Sequence, residues 1–398
     1  MIVTSSLVNE LFRAFHIQRW NDRLRPMELI EMDKHAHKMI IAYCLGKYEE
    51  SAGHKVDWEE LIQSGIFELL RRIVISDIKS PIYREIKKNK EVFAKLNEYI
   101  YSHLEKKIDD PEIRKELENF LLNPGERNTL SQRILDAAHI YASYWEFQII
   151  KVANPTSYQN SEIEMELLND IHGFSDLAGV QKLMARQTIS NFIEMCSQLR
   201  FQVRWAQTPR VPKTSVLGHS LLVACISYFL TRDLPHCSKR IYNNFFGGLY
   251  HDLPEAVTRD IISPVKESSA EFDILIKNLE RELAEKEIFP HIEESWVEEM
   301  KYFTQDEFAN KVIVKKKIKK NLTTDDISEK YDSDEFMPYD GELIKAGDHL
   351  AAFLESWHSQ MSGISSVELK TSEQKLRELY KDRTIGGIPI KNLYANFE

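Results

Sequence analysis

Apolar residues recur along this chain with the helical period. Over 187–200, Ile189, Phe192, Ile193, Cys196 and Leu199 fall at i, i+3, i+4, i+7 and i+10, one face of an amphipathic helix. The run after position 219, with Leu221, Leu222, Ala224, Cys225, Tyr228 and Phe229, is apolar nearly all round and predicts a buried central helix. Further helices are expected over 243–251, 267–287, 342–359 and 366–383, the second of them amphipathic and charged. Few stretches alternate with period two, so strands should be scarce and the fold class is expected to be all-α.

Length makes this more than one bundle: 398 residues are long for a single domain and natural for two. A hydrophobic fraction of 43% with aromatics at 10% supplies sizeable cores and excludes wholesale disorder. The net charge of −10 argues against nucleic acid and against an anionic membrane as partners. A nucleotide or other phosphate ester needs only one focused positive pocket, so it stays open as a substrate. Cys44, Cys196, Cys225 and Cys237 are scattered without CxxC pairing, which reads as reduced thiols of a cytoplasmic protein. The N-terminus lacks a basic-then-apolar signal, and no apolar run approaches the ~18 residues of a membrane span.

The chemistry concentrates in Tyr250-His251-Asp252-Leu253-Pro254-Glu255, with His219 upstream and Asp348 downstream. Imidazole and carboxylate donors suit one divalent ion, Mn²⁺, Co²⁺, Fe²⁺, Zn²⁺ or Mg²⁺, rather than a thiolate site. A lone His219 would ordinarily be a core histidine; beside His251 and Asp252, ligation is the better reading. An unpaired Asp348 among Ala and Leu residues would be costly, and a metal resolves that cost. Glu255, four residues after His251, is expected to act with Asp252 in catalysis, as a base toward water. Arg204 offers a guanidinium fork for phosphate, Trp205 a wall or simple core, and Lys266 a weaker phosphate contact that is as easily solvent-facing. Asp260 could equally cap the turn before Ser263-Pro264. His349, His35 and His37 read as structural or surface residues, and the basic run Lys315 to Lys320 as a solvated loop.

Taken in order, Arg204-Trp205, His219, His251-Asp252-x-x-Glu255, Asp260-x-x-Ser263-Pro264-Val265-Lys266 and Asp348 resemble the HD-domain metal-dependent phosphohydrolases. Within them the pattern is most similar to the bacterial 5'-nucleotidases acting on deoxyribonucleoside 5'-monophosphates, over about residues 175–385. The resemblance implies an HD-domain helical bundle, hydrolysis of nucleoside 5'-monophosphates, and a sugar contact for Asp260. Two departures stand out: Gly218 occupies a position usually held by Glu, and about ninety residues separate Asp260 from Asp348. The alternatives are an HD hydrolase of a cyclic nucleotide, a triphosphate or a ppGpp-like substrate, and a non-enzymatic nucleotide-binding regulator.

The N-terminal half echoes this plan. Arg19-Trp20 precedes His35 at a spacing of sixteen against fifteen for Arg204 and His219. Ser76-Asp77-Ile78-Lys79-Ser80-Pro81 echoes Arg259-Asp260-Ile261-Ile262-Ser263-Pro264, and Asp136-Ala137-Ala138-His139 echoes Asp348 and its neighbours. In that register Glu68-Leu69 stands where His251-Asp252 stands, and Arg72 replaces Glu255. A tandem of two bundles is expected, with residues 1–152 a degenerate HD-like domain and 153–177 a linker. Residues 178–398 are expected to form the metal-binding HD domain, with an insertion around 300–338. The first copy would then serve packing, regulation or assembly into a homo-oligomer; chance recurrence of short motifs is the plainer alternative.

Overall fold

The structure, a computed structural model, describes residues 1–123, 128–259 and 269–397. It divides into two compact units, Met1–Val180 and Gln181–Glu398. Both are helical bundles. Strands among the described residues are confined to two short antiparallel hairpins, Val312–Val314 with Lys317–Lys319 and Thr384–Ile385 with Ile388–Pro389.

In the second unit the centre is the helix Val216–Arg232, buried along almost its whole length because its residues are apolar on every side. The helices Ser238–Tyr250 and Gly341–Met361 flank it. Gly248 lets the first of these approach closely, since a Cβ there would stand 2.9 Å from the Ala224 Cα. The second is registered by a buried fork: Arg240 Nε and Nη2 donate to the two Asp340 carboxylate oxygens at 2.7 and 2.8 Å. Asn244 Nδ2 also donates to Asp340, at 2.8 Å. The expected helices over 243–251, 342–359 and 366–383 appear as Ser238–Tyr250, Gly341–Met361 and Val367–Tyr380. The helices Glu294–Thr304 and Thr324–Lys330 lie on either side of the first hairpin in the chain, whose Lys317–Lys319 strand is exposed.

In the first unit the helices Glu31–Ser51 and Leu130–Ala153 form the central pair. The stretch expected as a linker, 153–177, is instead partly folded and belongs to this unit. Pro155 ends the preceding helix, but a turn closed by Asn160 Nδ2 donating to Asn154 O at 2.7 Å sends the chain back. The helix Asn160–His172 then packs on Leu130–Ala153, with Lys151 and Glu164 paired at 2.7 Å.

The two units share a frame. Arg19 N donates to Leu29 O as Arg204 N does to Thr214 O, and Glu31 N to Ile17 O as Val216 N does to Gln202 O. Trp20 and Trp205 have the left-handed φ values of 54° and 57°, and Ser76 and Arg259 those of 57° and 66°. Left-handed backbone at a tryptophan is strained, so its recurrence at matched positions marks one inherited turn rather than coincidence.

Candidate metal centre

Separate elements of the second unit deliver the candidate ligands. Ser215 caps the helix Val216–Arg232, its hydroxyl accepting from Gly218 N at 2.9 Å, and so fixes His219 in the first turn. His251 and Asp252 do not lie within a helix: Ser238–Tyr250 ends just before them, and Pro254 opens the single turn Glu255–Thr258. Asp348 lies on Gly341–Met361, two turns before Glu355 on the same face.

The His219, His251 and Asp252 ligand atoms lie within 4.8 Å of one another, and Asp348 Oδ1 reaches His219 Nε2 at 2.9 Å. The ring orientations are informative. His251 Nδ1 lies 2.8 Å from Gly248 O, and a carbonyl can only accept, so Nδ1 carries a hydrogen. Its Nε2 is buried, 3.2 Å from Asp252 Oδ2 but without the alignment of a hydrogen bond. His219 Nδ1 lies 3.2 Å from Glu355 Oε1, the carboxylate–imidazole arrangement that leaves Nε2 to face the cluster. Two ring nitrogens and the Asp252 carboxylate thus lie together, with Asp348 against His219 and Arg204 beside Asp252. Imidazole nitrogens and carboxylates are a donor set that suits a divalent cation. The imidazoles are buried while the Asp252 and Asp348 side chains keep 18% and 20% exposure, which leaves one side open to a ligand.

The electrostatics follow the same geometry. Burial opposes charge on His251, but the adjoining Asp252 and Asp348 outweigh it and raise the imidazole to about 9. Burial likewise opposes the Asp252 carboxylate, yet His251 and Arg204 hold it well below the usual range, as His219 does for Asp348.

Around the cluster, Arg204 Nη1 stands 3.5 Å from Asp252 Oδ2. Trp205 Nε1 donates to Glu355 Oε2 at 2.8 Å, and Thr214 Oγ1 to Glu355 Oε1 at 2.9 Å. Glu355, fully buried, therefore orients His219 and fixes the indole; the sequence reading gave it no role. Its signal was available in the spacing of seven from Asp348, which returns to the same helix face. Phe308, also missed, brings its ring to 6.0 Å from that of His251. It lines a cavity of about 300 Å³ with Pro254, Lys277, Arg281, Glu307 and Lys345. Glu255 is buried at the head of its short turn. Asp260 and Lys266 lie outside the described residues. His349 Nδ1 meets Tyr380 Oη at 2.9 Å, consistent with a structural part.

The first unit presents a different set on the same frame. Trp20 Nε1 and Arg19 Nε both donate to Glu146 Oε2 at 3.0 Å, as Trp205 and Arg204 address Glu355. Seven residues before Glu146 is His139, so His139 and not the exposed Asp136 matches Asp348. Counting fifteen from Arg19 gives Lys34, so Lys34 and not His35 matches His219. His35 turns away, its Nε2 2.7 Å from Gly65 O. The left-handed residues Ser76 and Arg259 fall opposite each other when Glu68, Leu69 and Arg72 are set against His251, Asp252 and Glu255. Lys34 Nζ stands 2.5 Å from His139 Nδ1, and Lys38 pairs with Glu68.

Residues 196–377 match the family model described as HD domain, and residues 7–185 match that described as 5'-deoxynucleotidase YfbR-like. No curated protein matches the chain. The nucleotidase match falls on the half without the His-Asp pair, whereas the motifs that resemble the nucleotidases lie in the other half.

Proposed function

The chain is an HD-domain phosphohydrolase close to the 5'-deoxynucleotidases, and we propose that its second unit hydrolyses nucleoside 5'-monophosphates at a single divalent metal ion. The convergence of His219 Nε2, His251 Nε2, Asp252 and Asp348 on one half-open point carries this reading. When bound, the ion supplies Lewis-acid polarisation of a phosphate oxygen and of water.

The chain's own residues do the rest. His219, His251, Asp252 and Asp348 hold the ion, with Glu355 keeping the His219 ring in place. Arg204, already within 3.5 Å of Asp252, swings its fork onto the phosphoryl oxygens and neutralises charge that grows during attack. Glu255 accepts the proton of the attacking water. The cavity beside Phe308 takes base and sugar, with Lys345 at its rim; the Lys345 ammonium lies 5.7 Å over the Phe308 ring. Asp260 and Lys266 complete the set as sugar and phosphate contacts. A cytoplasmic setting accords with Cys44, Cys196, Cys225 and Cys237 forming no disulfide.

The test is phosphate release from a panel of nucleotides with Mn²⁺, Co²⁺ or Mg²⁺, with and without chelator. Monophosphate turnover that chelator and Asp252→Ala both abolish is the expected result. Turnover confined to pyrophosphate or cyclic esters, or none with any metal, would overturn the substrate assignment.

A further inference from the structure

At the five matched positions the second unit has His219, His251, Asp252, Glu255 and Asp348, three of them carboxylates. The first unit has Lys34, Glu68, Leu69, Arg72 and His139: two cations and one carboxylate. Every candidate metal ligand and the candidate base are replaced, while Arg19, Trp20, Asp77 and the anchoring Glu146 remain. Loss of function by drift would erode both sets alike. Here the metal set is gone and the surrounding frame is kept in detail, down to the left-handed tryptophan.

The replacements also change the charge in one direction. Without a metal, the second site is a cluster of carboxylates; the first supplies its own cations. The nearby acids lie against other cations: Glu31 Oε2 and Glu146 pair with Arg19, Asp77 stands 4.0 Å from Arg19, and Glu68 pairs with Lys38, while Glu31 Oε1 is buried without a hydrogen-bond partner. Lys34 Nζ meets the His139 ring; burial and the nearby Lys34 hold that imidazole well below its usual range, and burial likewise pushes Lys34 well below the usual ammonium range. Arg72 Nη1 is buried with no hydrogen-bond partner, its guanidinium lying 5.3 Å over the Tyr83 ring. Lys34 is fully buried, whereas Trp20, Arg72, Asp77 and His139 are half-buried and so reach solvent. Arg72 and a buried Lys34 that is driven off its proton while unpaired, neither with a carboxylate in hydrogen-bond reach, call for an anion at the place of a metal and its base.

We propose that the first unit is a metal-free site for the phosphate monoester of a nucleotide, held by Lys34 and Arg72 and not hydrolysed. Lys34 takes the place of a ligand to the ion and carries a positive charge once the anion is bound beside it; Arg72 takes the place of the base and cannot accept a proton from water. The nucleotide part of the ligand rests on the function proposed above, whereas the phosphate part rests on the charge and geometry of this unit alone.

The experiment is calorimetric titration of the full-length Asp252→Ala chain, in chelator, with deoxynucleoside 5'-monophosphates. One equivalent of at least one nucleotide should bind, and inorganic phosphate should compete. Adding Arg72→Gln should weaken binding about ten- to hundred-fold, the range for losing a charged hydrogen bond, and Arg72→Lys should retain part of it. Lys34→Gln, with folding checked by thermal melting, should act in the same direction. Absence of metal-free binding, failure of phosphate to compete, or affinity indifferent to both Arg72→Gln and Lys34→Gln would overturn the proposal. Failure of the second unit as a nucleotidase would show separately, as missing phosphate release from the wild-type chain.

Discussion

Glu255 and the four candidate ligands can be separated by one substitution. Glu255→Gln is nearly isosteric, so metal content should stay near that of the wild type while turnover falls roughly 10²-fold or more, as for a general base. Parallel loss of metal and turnover, measured by elemental analysis and phosphate release, would make Glu255 a ligand or a structural residue instead. A second residue-scale expectation concerns Lys311, buried between the Tyr302 and Tyr339 rings, 4.9 and 4.2 Å from their centroids. Burial and Lys320 depress its ammonium from 10.5 to about 7. Between those values the unfolded chain binds the extra proton, so this group makes stability rise as pH is raised from about 7 toward 10.5. Lys311→Met should flatten that rise and stabilise the protein near pH 7, as read from denaturant midpoints at several pH values. A variant with the wild-type pH slope would show that Lys311 is not depressed.

At the scale of elements, the site depends on the register of Gly341–Met361, which places Asp348 against His219. Gly341 cannot carry a Cβ, which would fall 2.3 Å from the Phe308 carbonyl carbon, and Asp340 is forked by Arg240. Asp340→Ala leaves the buried Arg240 with only Asp332, 3.8 Å from its Nη1, as a carboxylate partner, with an expected cost of ~3 kcal/mol, the lower end for a broken buried pair. Metal affinity should fall with it, since the helix loses its anchor; unfolding free energy and metal content together check this. Stability unchanged by Asp340→Ala would refute the anchoring part assigned to the pair. Helix identities of this kind were legible from period alone: Ile189, Phe192, Ile193 and Cys196 do line the buried face of Thr188–Gln198. The end of Ser238–Tyr250 was not, because the sequence reading ran that helix through His251, whereas the chain leaves it one residue earlier and turns toward Pro254.

Across the whole molecule, the second site was readable because His-Asp, His and Asp are chemistry-bearing residues with few other reasons to recur in that order. The first site misled for a physical reason. Neighbouring helix positions differ by ~100°, so a slip of one residue exchanged Lys34, which faces His139, for His35, which faces Gly65. Three residues along the other helix likewise exchanged His139 for the exposed Asp136. An equal spacing of fifteen from the two Arg-Trp pairs resolves the first slip, and the anchoring Glu146 and Glu355 the second, but neither glutamate announces itself until Trp20 and Trp205 are seen to point at them. Both corrections strengthen one claim: a single metal per chain, held by the second unit. Elemental analysis of the full-length protein tests it most directly, on wild type and on Asp252→Ala. One equivalent in the wild type and almost none in the variant is the predicted result; two equivalents in the wild type, or one retained by Asp252→Ala, would contradict it.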